Sequence, residues 1–206
     1  MIAIIDYGVG NLFSLCRSLE AIGQTPVVTG DPAQLRQAPR LILPGVGAFA
    51  DAAEKLRTTG LDQVILEEAQ AGKPILGICL GMQLLFDESY EFGRCPGLGL
   101  IPGKVVPMAG VIPPDYKIPH IGWNALHFPQ GEKHPLLASV QAGDCVYFVH
   151  SFWADGCGDA CIATTEYGAE LTAAVAHGKV MGCQFHPEKS GDVGLQILRT
   201  FCEEDW

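Results

Sequence analysis

Positive charge is scarce in this chain. Lys and Arg number 13 against 23 Asp and Glu, a net charge of −10 over 206 residues. No block of Lys or Arg interrupts that acidity, and such a surface repels phosphate backbones, so nucleic-acid binding is not expected. Long apolar runs are also missing. The longest, Pro74–Phe86, is broken by Gly77, Gly81 and Gln83 and is too short to span a bilayer. Met1–Ile5 is apolar, but Asp6 closes it without a cationic start or cleavage site, so a cytoplasmic protein with no membrane contact is expected. Paired CxxC spacings are absent from the eight cysteines. The nearest approach, Cys157-Gly-Asp-Ala-Cys161, lacks a second close pair, so neither a metal nor another cofactor is expected. Without export there is no case for a disulfide framework. Cys16, Cys183 and Cys202 fall at apolar positions and are expected to pack as small core residues. Repeats, low-complexity tracts and long linkers are lacking too, which leaves one domain over residues 1–206.

What is present is core-forming material, 48% hydrophobic against 17% charged residues, the balance of a globular protein. Short apolar runs alternate with helix-period segments in the first half. Ile2–Ile5, Thr25–Val28, Leu41–Leu43 and Ile75–Ile78 read as strands. Leu12 to Ile22, Phe49 to Leu56 and Leu61 to Ala69 read as helices, stopped by Gly23, Gly60 and Gly72. Strands without polar alternation predict an α/β fold with an open, mostly parallel sheet flanked by helices. From Leu98 to Phe185 the chain is rich in Pro, Gly and β-formers, which predicts an antiparallel, β-rich C-terminal half. Its strands are expected at Cys145–Phe152, Cys161–Thr165, Leu171–Ala176 and Val180–Phe185, with turns at Tyr167-Gly168 and His177-Gly178. A final helix starts at Ser190 or Asp192 and runs through Leu195, Leu198 and Phe201.

Two motifs carry chemistry. Gly77-Ile-Cys-Leu-Gly81 is a cysteine form of the G-x-nucleophile-x-G elbow, which seats a nucleophile on a tight strand-to-helix turn. Its glycines allow the close approach of strand to helix. The helix N-terminus favours a thiolate at Cys79, and the Leu80 N–H points where an oxyanion would form. Alone, the motif also suits a buried core cysteine. Phe185-His-Pro-Glu188 supplies the missing partners. His186 precedes proline and is biased to extended backbone, so Glu188, two residues on, lies near its ring and fixes the tautomer. A thiol at an elbow with a distant His and an acid is the constellation of covalent cysteine catalysis. A third segment, Leu43-Pro-Gly-Val-Gly47, has no Gly-Lys-Ser/Thr ending and fails as a phosphate loop. It suits either an oxyanion loop beside Cys79 or a plain strand-to-helix turn.

Together these segments resemble the class I, triad-type glutamine amidotransferases, whose fold is flavodoxin-like. Asp6-Tyr-Gly-Val-Gly-Asn11, Gly97-Leu-Gly-Leu-Ile-Pro-Gly103, Pro119-His-Ile-Gly-Trp-Asn124, Tyr147-Phe-Val-His-Ser151 and His186-Pro-Glu-Lys-Ser190 are similar, more narrowly, to the glutaminase subunits of imidazole glycerol phosphate synthases of histidine biosynthesis. The resemblance runs from Ile2 past Ser190. It implies hydrolysis of L-glutamine by Cys79, His186 and Glu188, with oxyanion donors from Leu80 and from Val46 and Gly47. It implies that Gln83, His150, Ser151 and Phe152 hold the amino-acid head of glutamine. It also implies a heterodimer with a (β/α)8-barrel cyclase that receives the ammonia, docked on Asn11, Pro119, His120, Trp123, Tyr147 and Lys189. Three other readings remain open: a glutaminase serving another synthase, a free-standing hydrolase of γ-glutamyl compounds, and a non-catalytic module that keeps the fold.

Overall fold

A computed structural model describes residues 2–129 and 133–206. The elements run β1 (Ile2–Ile5), α1 (Leu12–Ala21), β2 (Pro26–Thr29), α2 (Pro32–Gln37), β3 (Leu41–Leu43), α3 (Phe49–Thr59), α4 (Leu61–Gln70), β4 (Ile75–Ile78), α5 (Leu80–Leu84), β5 (Phe86–Ser89), β6 (Cys95–Pro96), β7 (Ile101–Pro107), β8 (His120–Ala125), β9 (Cys145–His150), β10 (Phe152–Asp155), β11 (Cys161–Glu166), β12 (Glu170–His177), β13 (Val180–Cys183) and α6 (Gly191–Glu203).

The main sheet has the order β11-β12-β13-β4-β3-β1-β2. The five strands from β13 to β2 are parallel, and β12 and β11 extend that sheet antiparallel. β1 shows why its strands lack polar alternation. Ala3 and Ile5 pack with Leu35, Phe49, Leu61 and Met82 on one face, while Ile2 and Ile4 pack with Leu15, Leu19, Ile197 and Phe201 on the other. With both faces of β1 covered, all four of its residues are buried.

Several elements depart from the sequence reading. The helix α2 buries only Leu35, so six residues carry no helical period to detect. The run from Cys145 to Phe152 is two strands. β9 pairs with β8, whereas β10 joins a second sheet of order β10-β7-β5-β6, and the chain changes sheets at Ser151. β13 stops at Cys183, two residues before Phe185. The Cys157–Cys161 segment holds a 3-10 turn, Gly158–Ala160, that carries the chain from β10 to β11, with Gly156 and Gly158 at positive φ. The two expected hairpin turns do join β11 to β12 and β12 to β13. Cys183 is fully buried, and Cys16 and Cys202 are half-buried against the same core.

The arrangement that matters for function lies at one sheet edge. β13, β4 and β3 are adjacent and parallel. Their C-terminal ends release Gln184–Glu188, Cys79 and Pro44–Gly47, so three segments distant in sequence converge where open α/β sheets place their sites.

Candidate active site

Cys79 sits between β4 and α5 with φ 54° and ψ −112°. A non-glycine residue in that region is strained, and such strain persists where the surroundings impose it. Here the constraint is steric and close-range. A Cβ on Gly77 would lie 2.7 Å from the Gly81 carbonyl oxygen and from Met82, and one on Gly81 would overlap the Leu43 carbonyl. The Cys79 amide donates to the Cys183 carbonyl at 2.7 Å, and its carbonyl accepts from Gln83 N at 3.1 Å. Leu80 opens the first turn of α5, where amides have no carbonyl within the helix to bond.

His186 is held by its backbone. Its amide donates to the Tyr147 carbonyl at 2.9 Å, and its carbonyl accepts from Ser190 Oγ at 2.6 Å. Ser190 Oγ in turn accepts from Tyr147 N at 3.0 Å. His186 is extended, as proline demands, and the following 3-10 turn swings Glu188 back to the ring. Nδ1 lies 2.7 Å from Glu188 Oε1, with the two side chains only 3% and 4% exposed. Nε2 is buried with no hydrogen-bond partner among the described residues, and the residue lines the same cleft as Cys79. Burial works against a charge on this ring, but the Cys79 sulfur and the Glu188 carboxylate outweigh it and lift its pKa to about 9.

The cleft has a volume of about 300 Å³. Cys79, Leu80 and His186 line it together with Val46, Gly47, Gln83, Pro119 and Val149–Phe152. The Pro44–Gly47 loop reaches Cys79 because Gly45 packs tightly. A Cβ there would come within 2.8 Å of Gly81 N and 2.9 Å of Tyr7 Oη. Tyr7 Oη also donates to the Pro44 carbonyl at 2.8 Å. Gly47 is at φ 101° with open space around its Cβ position. Gln83 Nε2 donates to the Phe152 carbonyl at 3.0 Å and to Gln184 Oε1 at 2.9 Å. His150 Nδ1 donates to that same Phe152 carbonyl at 2.8 Å, and burial pushes its pKa down to about 4. Of the two histidines on the cleft, only His186 is placed and tuned to hold a proton at neutral pH.

Two residues at the site escaped the sequence reading. Glu91 lines the cleft with its Oε2 accepting from Phe49 N at 2.7 Å, and burial raises its carboxyl pKa. Nothing in the local pattern marks a carboxylate that arrives from the loop between β5 and β6. Gln184 is fully buried behind Cys79, with Nε2 3.8 Å from Sγ. It reads in sequence as one polar break in an apolar strand.

The expected docking residues form a band beside the cleft, with one exception. Trp123 is 54% exposed, and its ring meets Tyr147 edge-on at 6.1 Å. Lys189 Nζ stands over the Tyr147 ring at 5.9 Å. Pro119 and Asn11 are exposed, and Asn11 also lines a narrow crevice that reaches His186 and Glu188. His120 is corrected. It is fully buried, stacked on Tyr167 at 3.9 Å between centroids, with Nδ1 3.2 Å from His150 Nε2. On strand β8 it alternates inward while Ile121 and Trp123 face out, so its side chain does not reach a docking face.

The chain matches the family described as glutamine amidotransferase class-I over residues 3–204. It is 51% identical over 204 residues to the imidazole glycerol phosphate synthase subunit HisH of Geobacillus kaustophilus (strain HTA426), covering 98% of this chain and 95% of that one. The subunit of the same name from Sulfurimonas denitrificans is 50% identical over 98% of this chain and 97% of its own length. Among solved structures, a glutamine amidotransferase superposes with TM-score 0.75 at 19% identity, covering 98% of both chains. The PurLQS structure from Thermotoga maritima superposes with TM-score 0.75 at 22% identity, covering 98% of this chain and 96% of that one. At those identities the likeness concerns the fold.

Proposed function

The chain belongs to the class I glutamine amidotransferase family, and from that membership and the site we infer that it is the glutaminase subunit of an imidazole glycerol phosphate synthase, in histidine biosynthesis. It hydrolyses L-glutamine and passes the ammonia to a partner subunit. The observation that carries the reading is the convergence of Cys79 and the His186–Glu188 pair, 2.7 Å between Nδ1 and Oε1, on one cleft at the ends of adjacent strands.

The reaction follows from that geometry. The Cys79 sulfur attacks the side-chain amide carbon of glutamine. The Leu80 N–H and a backbone N–H from Val46–Gly47 receive the oxyanion. His186 holds the thiol proton, stabilised by Glu188, and delivers it to the nitrogen as the C–N bond breaks and ammonia leaves. Water, deprotonated by the same ring, cleaves the thioester to glutamate and returns the thiol. The head of glutamine lies along Gln83 and His150–Phe152. Glu91 supplies a carboxylate for its α-ammonium group.

We propose that the partner is a (β/α)8-barrel cyclase, seated on the Asn11, Pro119, Trp123, Tyr147 and Lys189 band. It uses the ammonia to make imidazole glycerol phosphate and an aminoimidazole carboxamide ribotide. Docking over the cleft keeps ammonia from water. The charged phosphoribosyl substrate of that reaction places both subunits in the cytoplasm. The whole chain acts as one glutaminase domain.

Regulation is built into the oxyanion loop. Gly45 is pinned by packing and Gly47 is not, so the Val46–Gly47 peptide is the plane free to rotate. Losing one oxyanion donor costs roughly 10²–10³ in rate. The isolated subunit rests with that donor turned away, and cyclase ligand favours the competent state by binding it more tightly. The test is glutamine hydrolysis by the subunit alone, by the complex, and by the complex with the cyclase nucleotide ligand. A rise at each step is expected. An isolated subunit already as fast as the liganded complex favours a free-standing hydrolase instead.

A further inference from the structure

The triad leaves Gln184 without a role, although its side chain is fully buried against the nucleophile. Building on the glutaminase reading, we propose that Gln184 is a catalytic residue whose side-chain N–H hydrogen-bonds the Cys79 sulfur and stabilises it as a thiolate, with Gln83 and the Phe152 carbonyl fixing the direction in which that amide points.

The direction follows from donor and acceptor accounting. A backbone carbonyl only accepts, so the Phe152 oxygen obliges Gln83 to present nitrogen to it, at 3.0 Å. The second hydrogen of that nitrogen then needs an acceptor. Gln184 Oε1 is 2.9 Å away. With its oxygen committed to Gln83, Gln184 must turn its nitrogen the other way, and the atom it meets is Cys79 Sγ at 3.8 Å. A flipped amide would set two NH₂ groups against each other at Gln83 and a carbonyl oxygen against the sulfur. The Gln184 backbone is fixed as well, its amide donating to the Ala173 carbonyl at 2.8 Å. Gln184 itself has no exposed surface.

A donor in this position acts whenever charge sits on sulfur, because a hydrogen bond to an ionised acceptor is about twice as strong as a neutral one. That occurs twice in the cycle, before attack on the amide and as sulfur leaves the carbonyl during thioester hydrolysis. The same chain of amides joins the nucleophile to Phe152 on the substrate wall, so it also holds Sγ in one place relative to bound glutamine.

The test is Gln184→Met, of similar length and without the donor, in complex with the cyclase. Alkylation of Cys79 by iodoacetamide is followed across pH by peptide mass, which separates it from the other cysteines. Hydrolysis of glutamine is measured in parallel. The alkylation profile is expected to move to higher pH by about one unit. The turnover number is expected to fall about tenfold or more, with KM little changed. A profile superimposable on that of the parent overturns the proposal. Should Gln184→Met fail to fold, Gln184→Asn withdraws the amide by one methylene and is judged by the same shift. If the parent complex fails to hydrolyse glutamine, the glutaminase reading falls, while the alkylation comparison still decides whether the bond exists.

Discussion

Glu188 Oε1 lies 2.7 Å from His186 Nδ1, and the pair is sealed from solvent, while Nε2 of the same ring has no hydrogen-bond partner among the described residues. A carboxylate on one nitrogen fixes the tautomer, which leaves the other nitrogen as the working end. His186→Ala removes the proton carrier from both half-reactions and is expected to lower turnover by about 10⁴. Glu188→Gln keeps an acceptor for Nδ1–H but not the charge, and a smaller loss than that of His186→Ala is expected. Steady-state hydrolysis in the complex ranks the two. Parental activity in both variants would remove the pair from the mechanism.

The same pair makes a statement about stability. The folded pKa of His186 is raised from 6.5 to about 9, so the protonated ring is favoured in the folded protein. That contribution is fully present below about pH 6.5 and is lost as pH rises through about 9. The stability difference between the parent and Glu188→Gln in urea unfolding is therefore expected to shrink from pH 6.5 to 9.5. A difference constant across that window contradicts the assignment.

Gly81→Ala tests the elbow. The added Cβ would overlap the Leu43 carbonyl, which is backbone of the neighbouring strand and has little room to yield. Overpacking of that kind costs about 3 kcal/mol. A drop in urea midpoint of that order is expected. Gly60→Ala, at an exposed position with nothing within 4 Å of its Cβ, carries only the penalty of a positive φ, about 1 kcal/mol. Equal losses would mean that close packing at Gly81 is not what holds Cys79.

How much of this was visible in the residues divides along one physical line. The parallel strands and long helices carry their own periodicity, and β1, β3, β4, α3 and α4 fall where apolar spacing puts them. The meeting of Cys79 with the His186–Glu188 pair was legible because Cys79 and His186 each sit in a short segment of demanding backbone chemistry, a glycine elbow and a His-Pro pair. Two of the strands between β5 and β8 show why that region was not legible, since β6 has two residues and β8 finds its partner β9 20 or more residues away. Glu91 and Gln184 reach the site only through tertiary packing, and no spacing in the chain announces either. His120 was misplaced for a related reason. Its inward direction depends on the pairing of β8 with β9, and one residue of register decides which side a strand residue faces.

The docking band predicts a separable defect. Trp123→Ala removes an exposed ring beside Tyr147, and Lys189→Ala removes the cation above it. Aromatic anchors at an interface centre typically cost about 2 kcal/mol when truncated. Trp123→Ala is expected to weaken cyclase binding by about thirtyfold in calorimetric titration while leaving the unfolding midpoint of the free subunit unchanged. Unaltered affinity would move the partner to another face.

The central claim is a division of labour, in which Cys79 serves only to release ammonia and the chemistry that uses it lies on another chain. The most direct measurement compares two nitrogen sources in one complex. With Cys79→Ala, synthesis from glutamine is expected to vanish, while synthesis from added ammonium salt continues at the parental rate. Loss of both at normal complex yield, or survival of the glutamine-dependent reaction, would contradict the account.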